Sequence, residues 1–149
     1  REIEKIIENI SDKAIKSAII FICECGVRVG ALPNLEIRKN KYYSFSKGKE
    51  VNGKVSDKAI NYLKKNKLDL KYPFKNKSSE VIRNIFYRSS KRLYKRGEIK
   101  AKYSIHDVRH YFAIKLYKKT KDIELIRQAL NHSNIAITGL YLRSLENAE

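Results

Sequence analysis

The sequence contains no methionine, only two cysteines, and no apolar run long enough for a membrane span. A chain of 149 residues that begins at Arg1 without a methionine predicts a fragment of a longer protein whose start is missing. A helix needs about 20 apolar residues to cross a bilayer, so the sequence argues against a membrane protein. No signal peptide is recognisable. The length and the 42% hydrophobic content fit a single domain over residues 1–149.

The two cysteines, Cys23 and Cys25, are separated by one residue within an apolar stretch. Cysteines this close rarely form a disulfide bond, so we interpret both as small buried hydrophobic residues. A metal-binding pair is the less favoured interpretation. This use of cysteine favours a reducing, intracellular compartment.

Acidic residues are scarce, since 16 of them oppose 33 basic residues and leave a net charge of +17. The excess is concentrated in residues 38–102, which hold 21 basic and 5 acidic residues; residues 1–37 hold 5 and 6, and residues 103–149 hold 7 and 5. A basic block interspersed with tyrosines predicts a folded surface that follows a phosphate backbone. A lysine-rich solvated surface from an AT-rich genome is the simpler alternative, but it does not explain this concentration.

Apolar periodicity predicts an α+β fold that is mainly α-helical, with a small antiparallel sheet between Leu35 and Val55. Residues 11–26 predict a helix that Ser11 caps and Gly26 ends. Alternating residues in the sheet region predict two or three strands, with turns at Lys39-Asn40, Lys47-Gly48 and Asn52-Gly53. Further helices are predicted over residues 56–65, 78–97, 104–119, 122–131 and 134–145.

The helix predicted over residues 78–97 has an apolar stripe on one side and basic residues largely on the other. A helix with this distribution can lie against a nucleic acid groove. The residues predicted to contact DNA from this helix are Arg88, Lys91, Arg92 and Lys95.

Two of the three histidines lie in the segment SIHDVRHYF, residues 104–112. His106 and His110 stand four apart, so they share a helix face, as the two histidines of a zinc protease motif do. That motif has glutamate directly after the first histidine, whereas Asp107 stands here, and Arg109 would place a cation near the metal. We therefore predict no metal site, and a structural role for His110 at the edge of the core.

Four motifs, in order along nearly the whole chain, resemble the catalytic domain of the tyrosine recombinases of the phage-integrase and Xer type. They are CGVRVG with Arg28, SKGKE with Lys47, HDVRH with His106 and Arg109, and LNHSNIAITGLY with His132 and Tyr141. The resemblance implies the catalytic-domain fold of that family, without its N-terminal DNA-clamping domain. It also implies transesterification at a phosphate of double-stranded DNA.

In this chemistry, preorganised cations stabilise the charge that grows on the phosphate oxygens, and arginine offers two donors to one phosphate. The resemblance assigns this role to Arg28 and Arg109. Tyr141 matches the nucleophile and would form a 3′-phosphotyrosyl link. Its phenol is protonated at neutral pH, so His106 would accept or relay the proton, while His132 would donate to a phosphate oxygen.

The leaving 5′-oxygen needs a proton donor, for which Lys47 is the predicted residue and Lys49 the near alternative. Lys49 is also a predicted DNA contact. The phosphotyrosyl link retains the energy of the phosphodiester bond, so the resemblance implies no cofactor, neither ATP nor metal. Two departures indicate a divergent member: Ala31 replaces an acidic residue that family members usually carry, and Asn131 replaces a glycine.

Three alternatives remain at this point: a type IB topoisomerase, a telomere resolvase, and a non-catalytic basic DNA-binding module. A site-specific recombinase would act as a homo-oligomer, a tetramer, on double-stranded DNA, and could be a monomer when free. Its expected location is the cytoplasm in association with the nucleoid, or the host cytoplasm if the protein is viral.

Overall fold

The computed structural model describes residues 2–130 and Arg143. These residues form six α-helices, a short 3₁₀ helix and three strands, which confirms the mainly helical fold with a small sheet. In chain order they are α1 Glu2–Glu8, α2 Lys13–Cys25, the 3₁₀ helix Val29–Ala31, β1 Glu36–Arg38, β2 Lys41–Ser46, β3 Lys49–Lys54, α3 Asp57–Lys65, α4 Ser79–Lys95, α5 Ile105–Thr120 and α6 Ile123–Leu130.

Helix α2 lies at the centre of the main core, where it packs against α1, α3, α4 and α5. Its apolar stripe was predicted, but burial extends almost all the way round the helix and includes Phe21 and both free cysteines. The predicted cap at Ser11 is wrong by one residue. Asp12 caps the helix, because its Oδ1 accepts hydrogen bonds from the backbone N–H groups of Ala14 and Ile15, at 2.9 and 3.0 Å.

Gly26 ends α2 as predicted, with a left-handed φ of 75° and its N–H donating to the Ile22 carbonyl at 2.8 Å. The position also has no room for a side chain, because a Cβ atom there would overlap the ring of Phe112 on α5. The chain can therefore turn sharply out of α2 while α5 packs closely against the same point.

The three strands form an antiparallel sheet in the order β1-β2-β3. The turns at Lys39-Asn40 and Lys47-Gly48 are confirmed, and all four of their residues have positive φ angles. Because Ser46 pairs with Lys49, the tip of the second hairpin consists of Lys47 and Gly48 alone.

The turn predicted at Asn52-Gly53 is wrong, because both residues lie inside β3. Gly53 pairs with Tyr42, and a Cβ atom at this glycine would come within 2.7 Å of the Tyr42 ring. Tyr42 is fully buried. The glycine therefore provides space for an aromatic side chain rather than a change of direction.

The remaining helices begin near their predicted residues. Ser56 caps α3 and Ser78 caps α4, each through its hydroxyl oxygen, which accepts a backbone N–H of the first turn. At the start of α5 the Asp107 carboxylate accepts the Ser104 N–H at 2.8 Å. Apart from Arg143, the helix predicted over residues 134–145 lies outside the described residues.

A second, smaller core lies between α5 and α6 and contains Phe112, Ala113, Ile126 and Leu130. It joins α6 to the rest of the fold through α5. None of the described helices is long and apolar enough to cross a membrane.

Candidate active site

A cleft of about 340 Å³ opens where the turn after α2, the β2–β3 hairpin and the first turn of α5 meet. Its lining includes Arg28, Lys47, His106 and Arg109. These four residues were predicted from three separate motifs, and the two arginines are 81 positions apart in the sequence. The fold brings together four of the six predicted catalytic residues. The other two, His132 and Tyr141, lie outside the described residues.

Arg109 lies on one side of the cleft, and we call this residue, with the Gly26 and Leu130 carbonyl groups that hold it from behind, the buried wall. The Arg109 side chain is only 4% exposed. Its Nε donates to the Gly26 carbonyl at 2.6 Å, and a terminal nitrogen donates to the Leu130 carbonyl. A buried charged group is tolerated when it is hydrogen-bonded, so these two carbonyl groups fix the orientation of the guanidinium.

The main chain that holds Arg109 also presents Arg28. Two residues after Gly26, Arg28 takes an extended backbone conformation immediately before the 3₁₀ helix. Its side chain is partly buried and faces the cleft. One sharp turn after α2 therefore supplies an acceptor for one arginine and positions the other.

The opposite side of the cleft, which we call the hairpin wall, consists of Phe45, Ser46 and Lys47. Lys47 is exposed at the two-residue tip, with a φ of 53°. Lys49, the alternative proton donor, is the first residue of β3 and is not part of the cleft lining. The hairpin register thus places Lys47, the lysine predicted first, in the cleft lining, while the choice between the two lysines as proton donor stays a prediction.

His106 lies in the first turn of α5 and remains partly open to solvent. The pKa of His106 is lowered below its usual 6.5, first because the cleft walls desolvate the ring. The positive charges of Arg109, Arg28 and Lys47 lower it further, while the Asp107 carboxylate acts in the opposite direction. Such a histidine is neutral at pH 7 and can accept a proton.

His110 lies one helical turn behind His106, and the two rings meet edge to face with centroids 4.3 Å apart. Its Nδ1 is 3.7 Å from a carboxylate oxygen of Asp107. Burial lowers the pKa of His110 as well. This partly buried position agrees with the predicted structural role at the edge of the core. No group of three or more His, Cys, Asp or Glu side chains in the described ranges could hold a metal ion.

Ala31, which stands where members of the resembled family usually carry an acidic residue, takes part in a buried contact with strand β2. Ala31 is fully buried, and its carbonyl accepts a hydrogen bond from the Ser44 hydroxyl at 2.6 Å. This bond joins the 3₁₀ helix that follows Arg28 to strand β2 of the hairpin wall. Sequence reasoning did not identify Ser44, whose signal is a polar residue on the buried face of an alternating strand.

The predicted DNA contacts on α4 are all exposed: Arg88, Lys91, Arg92 and Lys95. Their opposite face supplies Ile82, Phe86 and Leu93 to the core, as the apolar stripe predicted. Exposed tyrosines accompany these cations, since the Lys91 ammonium lies 5.5 Å from the centre of the Tyr87 ring. Their contact with DNA stays a prediction.

Comparison with known proteins gives consistent results. The sequence profile described as the phage integrase family matches residues 1–148. A tyrosine recombinase of Thermosipho africanus (strain TCF52B) is 30% identical over 138 residues, which cover 85% of this chain and 48% of that protein. The XerA recombinase crystal structure matches with a TM-score of 0.73 and 26% identity, over 99% of this chain and 59% of that one.

A more distant structural relative is a lambda integrase dimer bound to a COC′ core site, with a TM-score of 0.72 and 17% identity. This match covers 95% of the present chain and 45% of the integrase chain, and it concerns the fold alone. The chain spans about half the length of the proteins that it matches.

Proposed function

Because the chain belongs to the phage integrase family and has the fold of the tyrosine recombinase catalytic domains, we propose that it cleaves and rejoins double-stranded DNA at specific sites. The observation that carries this proposal is the cleft in which Arg28, Lys47, His106 and Arg109 meet. Three cationic side chains and one neutral imidazole in a single cleft suit an anionic phosphodiester whose charge grows during attack.

The two arginines have different parts in this proposal. Arg109 is held by two main-chain carbonyl groups before any substrate arrives, so it needs little reorganisation to receive a phosphate. Arg28 approaches from the turn after α2 and is more accessible. Together they would neutralise the non-bridging oxygens of the phosphate that Tyr141 attacks.

Two proton transfers complete the step. The Tyr141 oxygen attacks phosphorus, its proton passes to neutral His106, and the bond from phosphorus to the 5′-oxygen breaks. Lys47 gives a proton to that oxygen, so the products are a 3′-phosphotyrosyl link and a free 5′-hydroxyl. His132 would donate a hydrogen bond to the phosphate. Rejoining reverses the sequence, and the retained phosphoester energy makes ATP unnecessary.

Exchange between two duplexes requires four strand cleavages, so we propose a tetramer of this chain on DNA, with the monomer as the free species. The basic face of α4 would contribute to the DNA-binding surface. A DNA substrate would place the protein at the nucleoid, or in the host cytoplasm if it is viral.

The test uses nicked duplexes that carry a site selected from random sequence by the full chain itself. Cleavage near the nick releases a short strand, so rejoining fails and a covalent adduct accumulates. The wild-type chain should form an adduct that Tyr141→Phe does not form. The control Tyr72→Phe, an exposed tyrosine between α3 and α4, should form it normally.

Equal adduct in the wild type and Tyr141→Phe would contradict the proposal. DNA binding without any adduct would instead favour a non-catalytic module. Relaxation of supercoiled plasmids without a defined site would favour a type IB topoisomerase.

A further inference from the structure

Phe45 is the most exposed large hydrophobic side chain within residues 2–130, at 60%. Single exposed hydrophobic residues are common on protein surfaces, so exposure alone carries no argument. Its position is the unusual feature, because Phe45 lines the same cleft as Lys47, His106 and the two arginines. An exposed aromatic ring therefore lies in the cleft beside its cationic side chains.

The fold holds this ring outside the core. Along β2, Tyr42 and Ser44 are buried, whereas Phe45 points to the opposite face and pairs with Glu50 of β3. The Ser44 hydroxyl, bonded to the Ala31 carbonyl, anchors the strand in this register. Turning Phe45 inward would require a register shift that exposes Tyr42, so the ring cannot leave the cleft without a large loss of buried surface.

The charges around Phe45 indicate what it can meet. Lys47 follows it by two residues and faces the cleft, where a phosphate would bind. Glu50, which pairs with Phe45 across the hairpin, is negatively charged and exposed, and it disfavours a phosphate directly against the Phe45 ring. The surroundings therefore suit an uncharged part of a nucleotide adjacent to the bound phosphate.

We propose that Phe45 packs against an uncharged sugar or base of double-stranded DNA, beside the phosphate bound in the cleft; this inference rests on the proposed function. Proteins that enter the minor groove of DNA use apolar side chains as wedges between bases. Phe45 would then fix the position of the cleaved phosphate while the cations supply its binding charge.

The first test compares Phe45→Ala with Leu70→Ala. Leu70 is 44% exposed and does not line the cleft, so it is a matched control for loss of exposed apolar surface. Both variants should keep the wild-type unfolding temperature. Phe45→Ala should lower the rate of covalent adduct formation roughly tenfold, as loss of a well-placed aromatic contact does. Leu70→Ala should leave the rate unchanged.

The second test measures contact without relying on cleavage. Phe45 is replaced by the photoreactive residue p-benzoylphenylalanine, and Leu70 by the same residue in the control. Each protein is irradiated with the selected duplex, and the crosslinked nucleotide is mapped. A crosslink to DNA from position 45, and a much weaker one from position 70, is expected. An abasic nucleotide at the mapped position distinguishes the two contacts, since it weakens binding when Phe45 meets the base and not when it meets the sugar.

The outcomes separate this inference from the proposed function. If the wild type forms the adduct, Phe45→Ala forms it equally fast and position 45 does not crosslink to DNA, the inference is overturned while the function stands. If position 45 crosslinks to DNA but no adduct forms, the contact stands and the function fails. A crosslink only to a second copy of the chain overturns the inference.

Discussion

The buried wall and the hairpin wall of the cleft hold their cations in opposite ways. Arg109 is 4% exposed and donates to carbonyl groups from two separate parts of the chain, Gly26 and Leu130. Lys47 is exposed at a two-residue turn, and its backbone is fixed only by the strands on either side. The Arg109 guanidinium is fixed inside the structure, whereas the Lys47 side chain is exposed on a turn.

This difference matches the two tasks that we propose. Charge stabilisation benefits from donors that are fixed before the reaction, because reorganisation costs free energy at the transition state. Proton donation to a departing oxygen needs a group that can follow the oxygen as the bond breaks. A lysine on an exposed turn, with its flexible four-carbon side chain, has that freedom. We therefore expect a substitution of Arg109 to lower both stability and cleavage, and a substitution of Lys47 to lower cleavage alone.

The largest effect is expected for Arg109→Ala. The substitution leaves the carbonyl groups of Gly26 and Leu130 without this donor, at a cost of about 1–3 kcal/mol for each buried group. Loss of the phosphate donor should also lower cleavage about 1000-fold. Urea unfolding and single-turnover cleavage measure the two effects. Arg83→Ala on the exposed side of α4 is the control. Normal stability of Arg109→Ala would show that the buried wall is not a structural unit.

Lys47→Ala should lower cleavage about 100-fold, as expected for loss of a general acid, and leave the free energy of unfolding within about 0.5 kcal/mol of wild type. A duplex in which sulfur replaces the leaving 5′-oxygen should restore the rate, because a thiolate leaves without a proton. At saturating protein, where the loss of a DNA contact does not limit the rate, Lys49→Ala, one residue beyond the turn, should cleave the ordinary duplex normally. If Lys49→Ala is instead the slow variant, and the sulfur-substituted duplex restores its rate, Lys49 is the proton donor.

A smaller effect is expected on the titration of His106, which both walls influence. Arg109, Arg28 and Lys47 lower the pKa of His106, so Arg28→Ala should raise it towards 6.5. Lys54→Ala, at the far end of β3, should not. An NMR pH titration of the His106 ring measures the midpoint. An unchanged midpoint in Arg28→Ala would show that Arg28 does not act on the imidazole across the cleft.

The direction of pH-dependent stability follows from the same shifts. The pKa values of His106 and His110 are lowered in the fold, so between those values and 6.5 the unfolded chain binds more protons than the folded one. The stability that these two histidines contribute is therefore fully present above about pH 6.5, and it is lost as the pH falls from 6.5 through their lowered pKa values. The exposure of His106 keeps its share of this loss small.

The site could be predicted from the sequence only where side-chain identity carries the information. The order of the motifs along the chain identified Arg28, Lys47, His106 and Arg109, which the fold brings to one cleft. The groups that hold Arg109 are main-chain carbonyls, and a backbone acceptor leaves no mark on the sequence. The motif favoured Lys47 over Lys49 without fixing the hairpin register, which follows from the position of the two-residue turn.

The two local errors have related causes. An Asn-Gly pair favours a turn, but the space that Tyr42 requires decides the role of Gly53, and that neighbour lies 11 residues away in the sequence. Ser11 and Asp12 are adjacent and both suit a helix cap, so their difference is one of geometry rather than of residue type. Local propensity indicates that an element exists, whereas tertiary packing determines its exact end.

The smallest effect concerns DNA binding outside the cleft, where the basic face of α4 contrasts with the nearly neutral segment 1–37. Neutralised phosphates release counterions, so Lys91→Ala should reduce the slope of log affinity against log salt by about one. Lys13→Ala, at an exposed position at the start of α2, should leave the slope unchanged. Fluorescence anisotropy with a random-sequence duplex at several salt concentrations measures both. Equal slopes in the two variants would mean that the basic block does not follow the phosphate backbone through α4, and DNA binding would then depend on the cleft and the hairpin.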